Sequence, residues 1–147
     1  MTRFREVGDS VVNDGTADDI CFTVDQNLYL YGFGIYGSKR PGEASYKVDT
    51  VVTRKKKDIL MESISIQGAG VILPVMFERP VKVDKGKPYT LEIYVQGPHS
   101  HVGAEGITTV SDRGVTFKFS KAEKVKGNRT TDQLGQIPRF YFMPYGK

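Results

Sequence analysis

Two histidines stand two residues apart in Gly97-Pro98-His99-Ser100-His101-Val102-Gly103-Ala104-Glu105-Gly106, with Asp112 further on. In an extended segment residues i and i+2 project to one side, so His99 and His101 could offer two imidazoles to a metal ion. A zinc site needs three or four ligands, and the sequence offers no second cluster to complete one. The spacing is better explained by a glycine-bounded loop whose histidines hydrogen-bond to nearby backbone, and no metal is expected. Cys21 is the sole thiol. Service as a nucleophile would require a neighbouring group that lowers its pKa, and none is adjacent in sequence. Its position opposite Ile20, Phe22 and Val24 reads as a strand residue serving as a small apolar filler. Gly32-Phe33-Gly34-Ile35-Tyr36-Gly37 has the Gly-x-Gly-x-x-Gly spacing of a dinucleotide-binding fingerprint, but no helical pattern follows it. Its glycines suit a bulge or a close backbone approach within a strand. There is no Gly-x-Ser-x-Gly elbow, phosphate-binding loop or cysteine pair. The chain is therefore expected not to be an enzyme and to carry no cofactor.

Charge excludes little more. The net charge of +4 comes from 21 basic and 17 acidic residues, and much of the excess sits in Arg54-Lys55-Lys56-Lys57, followed at once by Asp58. A solvated turn between two strands accounts for such a run without nucleic acid. The eight Tyr and eight Phe mostly occupy alternating apolar positions rather than standing among Arg and Lys, where they would stack on bases. One cysteine forbids an internal disulfide and points to a reducing, cytoplasmic setting. The sequon at Asn128-Arg129-Thr130 is the opposing signal. No apolar run approaches the ~20 residues that span a bilayer, so no membrane partner is expected. The first residues show no secretory pattern.

The elements that would position these groups are strands. Ile20, Phe22 and Val24 alternate with Cys21, Thr23 and Asp25, and Tyr46, Val48, Thr50 and Val52 with Lys47, Asp49 and Val51. Leu91, Ile93 and Val95, then Phe117 and Phe119, then Phe140 and Phe142, repeat the period of two. Each set puts apolar groups on one face, the pattern of a sheet with one side on a core. Sixteen glycines and seven prolines punctuate the chain. Turns are expected at Asn13-Asp14-Gly15, Arg40-Pro41-Gly42, Asp84-Lys85-Gly86 and Lys126-Gly127-Asn128. Pro74, Pro80, Pro88 and Pro138 are expected at strand starts, edges or bulges. Thr53 to Ser65 reads as a hairpin with its tip at the basic run. The whole is an all-β chain, an antiparallel β-sandwich of about eleven short strands. At 147 residues it is read as one domain over 1–147, excised from a larger protein.

Five segments in order resemble the PHR domain. They are Asp19-Ile20-Cys21-Phe22-Thr23-Val24-Asp25, Gly32 to Ser38, Val75-Met76-Phe77-Glu78-Arg79-Pro80-Val81-Lys82-Val83, Gly97 to Gly106, and Gly135-Gln136-Ile137-Pro138-Arg139-Phe140-Tyr141-Phe142. The resemblance runs from about Phe4 to Phe142. PHR domains commonly carry an early tryptophan, whereas this chain has none. The resemblance implies a sandwich of about eleven antiparallel strands that grips protein partners while chemistry happens elsewhere. Its parents are BTB-domain adaptors for cullin ligases, or giant RING ubiquitin ligases of the Myc-binding protein 2 and Highwire family. Partners would then be ubiquitination substrates or ligase-complex components.

A sandwich spends its strands on its core and displays specificity on end loops. The expected partner surface joins Tyr36, Ser38, Lys39 and Arg40 to Gly97, Pro98, His99, Ser100, His101, Gly103, Glu105 and Gly106. The competing reading is that these loops only close the sandwich. A lectin-like or other small-ligand sandwich, and a weak polyanion binder acting through the basic run, are the alternatives of other classes.

Overall fold

A computed structural model of the chain describes residues 4–7, 11–38, 42, 44–100, 103–121 and 136–145, with backbone alone at 4–7, 11–17, 99, 103–105 and 121. These residues form eleven strands and no helix. β1 is Phe4–Val7, β2 Val11–Val24, β3 Leu28–Tyr36, β4 Ala44–Arg54, β5 Lys57–Gly68 and β6 Ile72–Val83. β7 is Tyr89–Ser100, β8 Gly103–Gly106, β9 Thr109–Asp112, β10 Val115–Lys121 and β11 Arg139–Pro144. They order as a six-stranded sheet β5-β4-β7-β2-β10-β9, a three-stranded sheet β11-β3-β6 and a ribbon β1-β8. Every pairing is antiparallel.

The period of two decides which side chains meet between the sheets. Ile20, Phe22 and Val24, then Val48 and Val52, then Leu91, Ile93 and Val95 are buried from the large sheet, while Leu28, Leu30, Phe33, Val75 and Phe140 close over them from the small one. Rings lock the layers together. Phe22 meets Phe140 edge-to-face at 5.0 Å between centroids, and Phe117 meets Phe142 at 4.9 Å. Edge-to-face rings at this spacing add about 0.5–1.5 kcal/mol per pair beyond the area they bury.

Several strands are longer than expected. β2 runs 14 residues and β5, β6 and β7 run 12 each. Bulges carry them past residues that would otherwise end a strand. Asn13-Asp14-Gly15, expected as a turn, lies inside β2, where the register to β7 shifts on both sides of Asn13-Asp14. β6 keeps Pro74 because, among the described residues, only β3 pairs with it and its other edge carries no ladder bonds. It keeps Pro80 because Leu30 pairs with Val81 and Gly32 with Met76, which throws the residues from Phe77 to Pro80 out of register. Gly32 is needed at that point, since a Cβ there would stand 2.3 Å from the Val75 carbonyl oxygen. Asp84-Lys85-Gly86 does form the turn into β7, with Gly86 at φ +75°. Gly42 is left-handed at φ +97°; Arg40, Pro41 and the Lys126-Gly127-Asn128 signal lie outside the described residues.

The hairpin forms as read, β4 turning into β5 through Lys55 and Lys56 at φ 52° and 64°. Cys21 takes the strand position opposite Ile20 and Phe22 that the alternation predicts. It lies half-buried on the outward face of β2, its Sγ 3.0 Å from the Thr90 hydroxyl, because odd-numbered β2 residues point away from Ile20 and Phe22.

Candidate functional site

The two segments proposed from sequence converge at one end of the sandwich. β7 runs straight through Gly97 and Pro98 to Ser100, so this stretch is strand rather than loop, and Gly103–Gly106 returns as β8 against β1. Pairing to β2 at Gly97 and Ser100 holds the stretch extended. Ser38 forms an isolated bridge to Ser100. Gly97 is required by proximity: a Cβ there would lie 2.4 Å from Tyr46 Cδ1 and 2.9 Å from the Ser45 carbonyl oxygen. The Tyr46 hydroxyl under it is buried with no hydrogen-bond partner among the described residues, and burial pushes its pKa up.

Gln136 fastens the convergence. Its Oε1 accepts a hydrogen bond from the Tyr36 backbone N–H at 2.9 Å, and its Nε2 donates to Ser100 Oγ at 2.7 Å. Tyr36, Ser100 and Gln136 are 1%, 0% and 1% exposed. Hydrogen bonds in so dry a setting matter chiefly because leaving a partner unmade costs about 1–3 kcal/mol per group. Next to Gln136, buried Ile137 holds φ at +66°, a conformation that a β-branched residue adopts only under constraint. The strained bond aims Gln136 across to both strands while Pro138 leads into β11.

The sequence-derived surface residues thus divide. Tyr36 and Ser100 are buried and shape the end from within, Ser38 and Gly106 are partly exposed, and Gly97 and Pro98 are exposed. Lys39, Arg40 and His101 lie outside the described residues, as do the side chains of His99, Gly103 and Glu105. Gln136 was quoted only as part of a motif; its signal was an amide at the head of an otherwise apolar strand entry.

Electrostatic strain collects elsewhere. Asp18 and Asp19 are both buried in β2. Asp19 is pushed up from 3.8 to about 7, first by burial, then by the Glu92 and Asp18 carboxylates, against a lowering hydrogen bond from the Ile93 backbone. Glu92, paired with it across the sheet, is itself raised by burial and by Asp58. Among the described residues no group of three or more His, Cys, Asp or Glu is placed to hold a metal ion. None of them forms a helix long and apolar enough to cross a membrane.

The described residues thus define an antiparallel β-sandwich with two strand ends tied by a buried amide at one rim. The PHR domain model matches residues 2–143, and the chain belongs to the PHR domain family. It is 34% identical over 132 residues to BTB/POZ domain-containing protein 6-A of Danio rerio, covering 87% of this chain and 24% of that protein. It is 36% identical to BTB/POZ domain-containing protein 6-B of Danio rerio, covering 87% of this chain and 27% of that protein. BTB/POZ domain-containing protein 3 of Homo sapiens is 33% identical, with 87% and 25% covered. The chain spans about a quarter of the length of the curated relatives it matches. The PHR domain of such BTB proteins is a non-catalytic interaction domain.

Proposed function

We propose that this chain is the partner-recruiting module of a BTB-type adaptor, working in the cytoplasm to present a protein substrate to a cullin ubiquitin ligase. The observation that carries this reading is the match of nearly the whole chain to one segment of BTB/POZ proteins. The tied end supports the location. Gln136 holds the strand ends at Tyr36 and Ser100; Lys39, Arg40 and His101 follow these ends in sequence, and His99 and Glu105 belong to β7 and β8. Pre-organised ends lower the ordering cost of binding, which otherwise consumes about 0.5–1.5 kcal/mol per immobilised side chain. Lys39, Arg40, His99, His101 and Glu105 bring donors and acceptors of both charge signs, which suit a polar protein surface. The giant RING ligases are the other parent that the resemblance implies; the BTB relatives favour the adaptor.

Affinity capture from cytosol tests the reading. The wild-type chain is expected to retain ubiquitin-pathway components or their substrates, and His99→Ala/His101→Ala together with Lys39→Glu/Arg40→Glu to lose them. Equal capture by wild type and variants would move the surface elsewhere. Capture of no such component by the wild type would count against the adaptor role.

A further inference from the structure

At the opposite end of β4 and β7 lies a cleft of about 450 Å³ between the two sheets. Strands of this length put it roughly 30 Å from the Ser38–Ser100 bridge, at about 3.3 Å per residue. Two irregularities open it. Val52 pairs with Leu60 but Thr53 pairs with Asp58, so Ile59 is the extra residue of a bulge in β5 and is turned out to 44% exposure. Across from it the unpaired run of β6 delivers Arg79 and Pro80. Both walls are thus strand edges re-aimed by bulges, a device common beside binding sites.

The lining has two chemistries. Ile59, Leu60, Pro80 and Val81 supply aliphatic surface, with Tyr89 beneath. Arg54 lies 6.0 Å over the Tyr89 ring, its Nε shielded from water and without a hydrogen-bond partner among the described residues. Arg79 makes no ion pair or hydrogen bond among them either. Lys82 borders the cleft, leaning on the Tyr145 ring at 5.4 Å, and Lys55, Lys56 and Lys57 crown the adjoining hairpin tip. The acidic lining residue, Asp84, already faces Lys87 at 3.9 Å. Among the described residues neither guanidinium of the cleft faces a carboxylate, so a ligand carboxylate would find two cations to pair with, and charge-assisted hydrogen bonds are about twice as strong as neutral ones.

We propose that this cleft is a second docking surface, which takes a short acidic peptide pairing Asp or Glu with a branched aliphatic residue. The carboxylate meets Arg54 and Arg79, and the aliphatic side chain fills the space over Ile59, Leu60 and Val81. Charge complementarity selects the acid, and the aliphatic floor selects peptide over nucleic acid. Bases need open aromatic faces, and here the Tyr89 ring is covered by Arg54.

The test is an array of short peptides pairing Asp or Glu with Leu, Ile or Val, followed by fluorescence anisotropy of the best binder against the whole chain. Arg79→Glu and Ile59→Ser change exposed side chains and leave the core intact. Each is expected to weaken binding at least about tenfold, the scale of one charge-assisted hydrogen bond or one buried aliphatic group. His99→Ala/His101→Ala is expected to leave it unchanged, which separates this surface from the tied end. The proposal is overturned if no peptide on the array binds saturably, if Ile59→Ser binds as wild type, or if a single-stranded oligonucleotide binds as tightly as the peptide. That last result would mark the site as a plain polyanion patch.

Discussion

Replacing Asp19 with Asn should stabilise the protein at alkaline pH and do little in acid. The carboxyl is fully buried and sits beside Glu92 and Asp18, which together hold it at about 7 instead of 3.8. Below 3.8 folded and unfolded chains both carry the proton, and the group is neutral to stability. Between 3.8 and about 7 the unfolded chain ionises while the folded one keeps its proton, so stability falls as pH rises. Above 7 the folded state carries a buried charge and the loss is complete. At 1.36 kcal/mol per pH unit the full span is about 4 kcal/mol, of which about 2–3 kcal/mol is lost between pH 5 and 8. The isosteric amide removes that slope. Urea unfolding at half-unit pH steps is the assay, since an unchanged m-value shows that only stability moved. Asp19→Asn should exceed wild type by a few kcal/mol at pH 8, the gap closing toward pH 4. A variant less stable than wild type at pH 8, or a gap independent of pH, refutes the reasoning.

Gly97→Ala would force a Cβ against Tyr46 and should cost about 1–3 kcal/mol, the usual scale of overpacking, seen as a lower midpoint in thermal unfolding. Gln136→Ala would remove its hydrogen bonds to the Tyr36 N–H and the Ser100 hydroxyl, a loss of about 2–6 kcal/mol at 1–3 per group, with faster hydrogen exchange at the Tyr36 amide. Substituting Asn-Gly for Lys55-Lys56 relieves two left-handed non-glycine residues at the hairpin tip and should raise stability by about 1–2 kcal/mol in denaturant titration. Phe117→Ala, at the meeting of four other rings, should cost about 3–5 kcal/mol by the same titration.

The sandwich was legible because burial repeats with the pleat: Ile20-Phe22-Val24 and Leu91-Ile93-Val95 advertise their inner faces residue by residue. The basic run marked its hairpin for the same local reason. Strand length was not legible, because Asn13-Asp14-Gly15 and Pro80 look like stops unless the bulges that absorb them are known, and a bulge depends on the partner strand. The strand position of Cys21, opposite Ile20 and Phe22, was legible, but its cross-strand neighbour Thr90 was not. Gln136 lay beyond reach for a stronger reason. Its two partners are 100 and 36 residues away, and no local pattern encodes such a bond. The candidate surface was therefore readable as two segments to be joined, but not as the buried amide that joins them.

Hydrogen–deuterium exchange on the chain with and without its captured partner addresses the recruiting role most directly. Slowed exchange confined to 36–45 and 97–106 is the expected footprint. Protection spread over the outer sheet faces, with those two segments unchanged, would contradict the account.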